Sequence, residues 1–428
     1  MKNRVSLIGA LVFFLLILGL AFRHGDVLAL VMPLLVILSA GIYFGPERLN
    51  LRVERTLSGD RVTTGSPVKV KLTITNQGSD LEEVLLRDMV SMPLELIDGA
   101  DSILFSLKAG ETFEWEYNIL SHRGYYWFRG VEARAGDHSG LFRRQEIYEA
   151  EGRVLALPQA SKLGRVPIRP QRTKVYSGSI PARIGGQGID FFGVREHQPG
   201  DSPRLINWKV TARHPRTLFS NEFEQERIAD VGLILDSRHR SNLKLEKESL
   251  FEYVILAAAS LSGELLDNGH RVGMLVYGRV MEWTFPGYGK VQKEKILRAL
   301  SRTEPGGSKV FDRLDRLPTR LFPAQSQLIF ITPLLRDDIP TLLTLRAHGY
   351  QVLVVSPDPI TFETNVLNPD PDMRLALRVA LLDRDLMFRE LQQAGVQVID
   401  WDVSIPFNNV VHASLSRLPM WRRFSRVS

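Results

Sequence analysis

The chain has 428 residues, of which 44% are hydrophobic and 24% charged, with a formal net charge of +6. That balance excludes wholesale disorder and leaves room for two or three domains. The chain has no cysteine, which excludes disulfides, thiolate zinc sites, iron–sulfur clusters and cysteine nucleophiles.

Val5 to Phe22 is an uncharged apolar run of 18 residues and Val27 to Gly45 one of 19, separated by Arg23-His24-Gly25-Asp26. A hydrocarbon core takes about 20 helical residues to cross, so residues 1–46 are expected to form a transmembrane hairpin with spans 5–22 and 27–45. The first run is long for a signal peptide and lacks a small-residue cleavage site. Lys2 and Arg4 flank it on one side and Arg48, Arg52 and Arg55 follow the second run. The positive-inside rule then places both termini in the cytoplasm, beneath the plasma membrane.

From 51 to 150 the apolar period is two: Val68, Val70, Leu72 and Ile74 alternate with lysines and threonines, and Phe113, Trp115, Tyr117 and Ile119 with Glu114, Glu116 and Asn118. Turn clusters punctuate these runs, so an antiparallel β-sandwich of immunoglobulin-like size is expected. Residues 151–187 read as a basic, irregular linker. Between 152 and 189 there is no Asp or Glu, but seven Arg and Lys, from Arg153 to Arg183. A solvated linker is the simplest reading. Anionic lipid is a physically reasonable partner, and nucleic acid is disfavoured by the lack of interleaved aromatics.

Residues 188–227 form a block that opens Gly188-Ile189-Asp190-Phe191-Phe192-Gly193-Val194-Arg195-Glu196-His197-Gln198-Pro199-Gly200-Asp201 and continues through Arg204, Asn207, Trp208, Lys209 and Arg213. This pattern closely resembles the signature of a prokaryotic membrane-protein family, domain-of-unknown-function family fifty-eight. Pro199 to Pro203 has the composition of a turn. Trp208 is expected to anchor the block in the core, and Arg195, Arg204 and Arg213 to pair with its carboxylates. Asp190, Glu196 and Lys209 are residue types found in metal nucleases, and His197 with Asp201 could be a base and its orienter. No nucleophile or phosphate loop accompanies them.

Beyond the block, residues 228–404 alternate short apolar strands (231–236, 271–277, 327–332, 351–356, 396–401) with helical stretches. Strands hydrophobic without alternation are buried on both faces, so a doubly wound α/β domain is expected. An aspartate, Asp236, ends its first strand. The order of elements resembles a von Willebrand factor type A domain, which the family carries at this position. That resemblance implies a divalent cation held by Asp-x-Ser-x-Ser, a hydroxyl on a second loop and an acid on a third. Here Asp236-Ser237-Arg238-His239-Arg240 has arginine at both later serine positions, Ser308 is the candidate second-loop hydroxyl, and Thr332-Pro333-Leu334 lacks the acid, with Asp337 and Asp338 following. The expectation is therefore no cofactor, with Mg²⁺ or Mn²⁺ at Asp236, Ser237 and Ser308 disfavoured by the guanidinium groups. Asp236 alternatively caps the following turn or pairs with Arg238 or Arg240. The tail, 405–428, carries basic and aromatic residues suited to a membrane interface.

Taken together, a non-enzymatic, membrane-anchored interaction factor is expected, with the block or the Asp236 edge as its contact surface. The resemblance implies a MoxR-type AAA+ ATPase as protein partner in maturing other complexes. A metal-dependent hydrolase using Asp190, Glu196 and Asp236 is the alternative from another class, and lipid or nucleic-acid binding by the linker a third.

Overall fold

The computed structural model describes residues 2–43, 49–92, 94–136, 143–164, 166, 173–214, 216–245, 248–307, 314, 317–318, 321–323, 326–366 and 371–416. The chain forms two units, 1–157 and 158–428.

In the first unit, α1 (Lys2–Phe22) is followed by α2 (Gly25–Ala29) and α3 (Val31–Tyr43). Among the described residues one helix, Val5–Phe22, is long and apolar enough to cross a membrane; at 1.5 Å per residue it reaches roughly 27 Å. The second apolar run departs from an unbroken span. It is divided at Leu30, and Arg23 takes a left-handed φ of 53° as the chain leaves α1. A Cβ at Gly19 would stand 2.8 Å from the Leu28 side chain, so the two segments pack closely there.

The alternating segments become β1 (Leu51–Leu57), β2 (Arg61–Thr63), β3 (Pro67–Asn76), β4 (Leu81–Val90), β5 (Glu95–Asp98), β6 (Ser102–Leu107), β7 (Thr112–Leu120), β8 (Gly124–Gly136) and β9 (Arg143–Leu157). They form two sheets, in orders β1-β3-β7-β5 and β2-β9-β8-β4-β6. All pairs are antiparallel except β2 with β9. The core is made by the inward residues of the alternation: Val68, Val70, Leu72 and Ile74 meet Trp115, Tyr117, Ile119, Tyr126 and Phe128. Each such side chain, fully buried, stabilises by roughly 1.5–3 kcal/mol. Among the described residues one ion pair lies inside this core: Arg55 contacts Asp88, whose other oxygen accepts the Tyr117 hydroxyl at 2.6 Å, and the guanidinium stacks 4.8 Å from the Phe128 ring.

The linker expected over 151–187 is not found as such. Residues 151–157 finish β9, Leu163 and Val166 are buried in the core of the second unit, and 173–187 belong to a strand. This strand, β10 (Thr173–Glu196), pairs antiparallel with β11 (Phe219–Asp236) from Thr173↔Ala229 to Glu196↔Phe219. Pairing with a distant segment overrides a composition rich in Gly, Pro and Arg. The residues 167–172 lie outside the described set.

β11 then enters the second unit's main sheet. A small ladder of β12 (Lys244–Leu245) and β13 (Glu248–Ser249) leads to α5 (Leu250–Asp267), β14 (Arg271–Tyr277), β15 (Met281–Gly287) and α6 (Gly289–Arg302). β16 (Gln327–Ile331), α7 (Ile339–Ala347), β17 (Gln351–Pro357), α8 (Pro359–Val366), α9 (Pro371–Gln393), β18 (Gln397–Trp401) and α10 (Phe407–Ser416) follow. The order is β15-β14-β11-β16-β17-β18, parallel except for the edge strand β15. Leu233 and Leu235 pack with α5, α6 and α10 on one face, whereas Ile234 packs with α7 and α9 on the other. Helices on both faces make this a doubly wound α/β layer, as the uninterrupted apolar strands require. The expected tail begins as helix α10, whose Phe407 and Val411 are buried; residues 417–428 lie outside the described set.

Gly269, with φ of 80°, closes α5: the His270 amide then donates to Leu265 at 3.0 Å. His270 follows it into the interior, 2% exposed, and burial holds its pKa down at about 4. A base depressed in the folded state stays neutral while the unfolded chain, near 6.5, takes up the proton. Its contribution is therefore complete above pH 6.5 and is lost as pH falls towards 4. The second unit is expected to lose about 2 kcal/mol more between pH 7 and pH 5 than a His270→Gln variant does, read from denaturant midpoints. Parallel pH profiles for the two proteins would contradict this.

Candidate functional site

In an open α/β sheet, ligands bind beyond the carboxyl ends of the strands where the strand order reverses. Here that point is the junction of β11 and β16, and it holds Asp236 and Thr332. The chain after Asp236 crosses the sheet end tightly: Ser237 donates its amide to Tyr277 at 2.8 Å and Gly306 donates to Ser237 at 2.9 Å. A Cβ at Gly278 would stand 2.4 Å from Ser237 and 2.6 Å from the Arg238 nitrogen, so only glycine fits there.

The centre of this junction is occupied by the Arg238 guanidinium, whose side chain is 1% exposed. It donates to both oxygens of Asp236 at 2.9 and 2.8 Å and to both oxygens of Asp338 at 2.8 and 2.7 Å. Thr332 donates to Asp236 at 2.7 Å, and the Leu334 and Leu335 amides donate to Thr332 and Asp338. Asp338 reaches the site because Leu334 adopts a left-handed φ of 65°, a conformation unfavourable for a leucine. The turn brings residues 335–338 back over the strand end. Burial acts to lower the Arg238 pKa, but the hydrogen bonds it donates to two carboxylates outweigh it and raise it. Burial raises the Asp338 pKa despite that cation.

One guanidinium held by four carboxylate oxygens fills this junction. The reading that Asp236 pairs with Arg238 describes the observed contacts; Arg240 pairs instead with Asp337. The acid that reaches the junction after Thr332-Pro333-Leu334 is Asp338, six residues past Thr332. Sequence spacing alone did not place it, because the left-handed Leu334 shortens the path. Ser237 is buried, and Ser308 lies outside the described residues. Among the described residues no cluster of three or more His, Asp or Glu is placed to hold a metal.

A second arginine braces the same edge. Arg384 donates to Asp400 at 2.8 Å, to the Ser356 hydroxyl at 3.0 Å and to the Pro333 carbonyl at 3.0 Å. It thereby ties the ends of β16, β17 and β18 together.

The signature block forms a separate site at the other end of β11. Arg195 holds Asp201 through two hydrogen bonds of 2.8 and 2.7 Å, and Asp201 also accepts the Gln198 amide at 2.9 Å. These donors hold the Asp201 carboxyl down at about 2. Gly200, with φ of 106°, makes the turn that the composition suggested. Asn207 caps α4 (Trp208–Thr211) by accepting from Val210, and its amide nitrogen donates to Asn221 at 2.7 Å. His197 Nδ1 lies 2.7 Å from the Ser220 hydroxyl and 3.9 Å from Asp201, so Ser220 is its nearer partner.

Three expectations for the block are corrected. Trp208 is not a core anchor: it is 68% exposed, because a four-residue helix has no second turn to fold it under. Arg204 and Arg213 are exposed and make no ion pair among the described residues, and Lys209 is exposed beside them. Glu196 and Asp236 are not brought together. Glu196 faces Phe219, 17 residues from Asp236 along β11, roughly 55 Å of strand at 3.3 Å per residue. The Asp190 side chain lies outside the described set. The structure thus unites Arg195 with Asp201 and Asp236 with Arg238 and Asp338, and separates these two groups.

A family model described as "Protein of unknown function DUF58" matches residues 193–362. The chain is 30% identical over 223 residues to the uncharacterized protein YeaD of Bacillus subtilis (strain 168), an alignment covering 52% of this chain and 53% of that protein. The chain thus spans about half the length of the curated relative it matches. A CARDB domain from Pyrococcus furiosus is similar at 18% identity, covering 26% of this chain and 90% of that one, with a TM-score of 0.19. The cupredoxin domain of amoB from Nitrosocaldus yellowstonii is similar at 10% identity, covering 26% and 88%, also with a TM-score of 0.19.

Proposed function

We propose that this protein is a membrane-anchored, cytoplasm-facing interaction factor without catalytic activity, whose signature block docks a protein partner. In this reading α1 crosses the bilayer, and α2 with α3 returns as a second, shorter span. The α/β layer is a von Willebrand type A domain that has replaced its cation by Arg238. The partner is a MoxR-type AAA+ ATPase engaged in maturing another complex, a role that rests on the sequence resemblance.

The observation that carries the reading is Trp208. A tryptophan more than two-thirds exposed stands on a turn made rigid by the Arg195–Asp201 pair and the Asn207 cap, with Arg204, Lys209 and Arg213 around it. Trp and Arg are the residues over-represented at binding hot spots, and a preorganised support lowers the entropic cost of docking. The closed Asp236 junction favours the same reading, since its carboxylates are already saturated by a fixed cation. The separation of Glu196 from Asp236 counts against a metal shared between them, as the hydrolase alternative needs.

Trp208→Ala is expected to weaken binding of the detergent-solubilised chain to such an ATPase at least tenfold. Because the side chain touches little of its own fold, stability is expected to stay within about 0.5 kcal/mol of the parent. Interferometry and thermal unfolding on the same preparations read both quantities. Unchanged affinity, with the fold intact, would remove the block from the docking surface.

A further inference from the structure

Helix α9 carries two opposed apolar faces. Met387, Phe388 and Leu391 are buried in the core, and Arg384 is buried on the same side. On the opposite side Leu375, Val379, Leu382 and Leu386 form a stripe at spacings of four, three and four residues, each between 58% and 66% exposed. At 100° per residue these four fall within about 60° of one another. That is the spacing of a two-helix seam, and among the described residues nothing of the second unit covers it.

The charges around the stripe identify its occupant. If a second α9 is laid antiparallel with its centre between Val379 and Leu382, Val379 meets Leu382 of the partner subunit and Leu375 meets Leu386 of the partner subunit. The next layer outward sets Asp372 against Arg389 of the partner subunit, and on the flank Arg378 faces Asp385 of the partner subunit. Every one of these contacts occurs twice about the two-fold axis, and each charged one joins opposite signs. A lipid surface is the poorer match: α9 contains four arginines and four acids, whereas helices that lie on anionic bilayers are cationic.

We propose that α9 is a self-association surface and that two copies of this chain pair through it as an antiparallel, isologous helix dimer. The stripe lies outside the segment 193–362 matched by the family model, so this surface is independent of the docking block. With four apolar side chains per copy, the contact is smaller than a standard interface of about 1,600 Å². The dimer is accordingly weak in dilute solution and is favoured where anchoring in one membrane concentrates the copies.

The chain has no cysteine, which makes site-directed cross-linking unambiguous. Full-length chain carrying both Val379→Cys and Leu382→Cys, reconstituted in vesicles and oxidised, is expected to form a covalent dimer in high yield. Adding Leu375→Glu or Leu386→Glu to that chain is expected to reduce the yield at least fivefold. Both positions are exposed, so unfolding is not a competing explanation. Equal yield with the glutamates present would overturn the proposal, as would a cross-link from Val379→Cys alone that matches the double variant, since that signals a parallel pair. Absence of a cross-link in the double variant would also overturn it.

Discussion

Arg238→Ala is expected to destabilise the second unit by about 3–5 kcal/mol, the scale for removing one partner of a buried ion pair. Two carboxylates are left behind, Asp236 at 4% and Asp338 at 1% exposure, where the parent has a guanidinium bound to both. At about 2–4 °C per kcal/mol for a unit of this size, the thermal midpoint falls by about 10 °C. The deficit depends on pH in a defined sense. Burial already raises the Asp338 pKa, and without the arginine that opposes this rise, protonation of Asp338 favours the folded state and the variant recovers stability as pH falls. The difference from the parent is therefore largest at pH 8 and smaller at pH 5. Arg238→Lys keeps the charge but not the fork that reaches four oxygens, and is expected to fall between the two. A deficit below about 1 kcal/mol at pH 8 would mean that the carboxylates find water or another cation.

Asp88→Ala is expected to cost the first unit a similar amount, about 3–5 kcal/mol. Both side chains of the Arg55–Asp88 pair are buried, at 1% and 0% exposure, and burial pushes the Asp88 pKa up and the Arg55 pKa down against their mutual attraction. Removing the carboxylate strands the guanidinium and the Tyr117 hydroxyl inside the sandwich. The combination Arg55→Leu, Asp88→Leu and Tyr117→Phe removes all three polar groups together and is expected to cost much less than Asp88→Ala alone. Denaturant unfolding of the parent and these two variants measures the difference. A triple variant that loses as much stability as Asp88→Ala would contradict it.

What the sequence made legible follows from the length scale of each signal. Val68, Val70, Leu72 and Ile74 announce a half-buried strand because the strand period is two, and all four are fully buried. Leu233, Ile234 and Leu235 announce a strand covered on both faces, and each faces a helix layer or its opposite. Elements defined by long-range pairing were less visible. β10 carries Pro181, Gly185, Gly186 and Gly188 and is a strand because β11 lies beside it. β15 is an antiparallel edge containing Pro286, with no buried run to mark it. At the sites, Asp236 and Arg238 were legible as neighbours. Asp338, 100 residues from Arg238, was visible as a nearby acid but not as a partner. Trp208 misled because aromatic residues are usually buried, whereas helix α4 is too short to bury one.

Calorimetric titration of the full-length chain in detergent with Mg²⁺ and Mn²⁺, beside Asp236→Asn, tests the central claim that Arg238 is the resident cation of the Asp236 junction. The account predicts no saturable heat from either metal, because the four carboxylate oxygens are already engaged by one guanidinium. Stoichiometric binding by the parent that Asp236→Asn abolishes would contradict it and return the junction to a cation-dependent site.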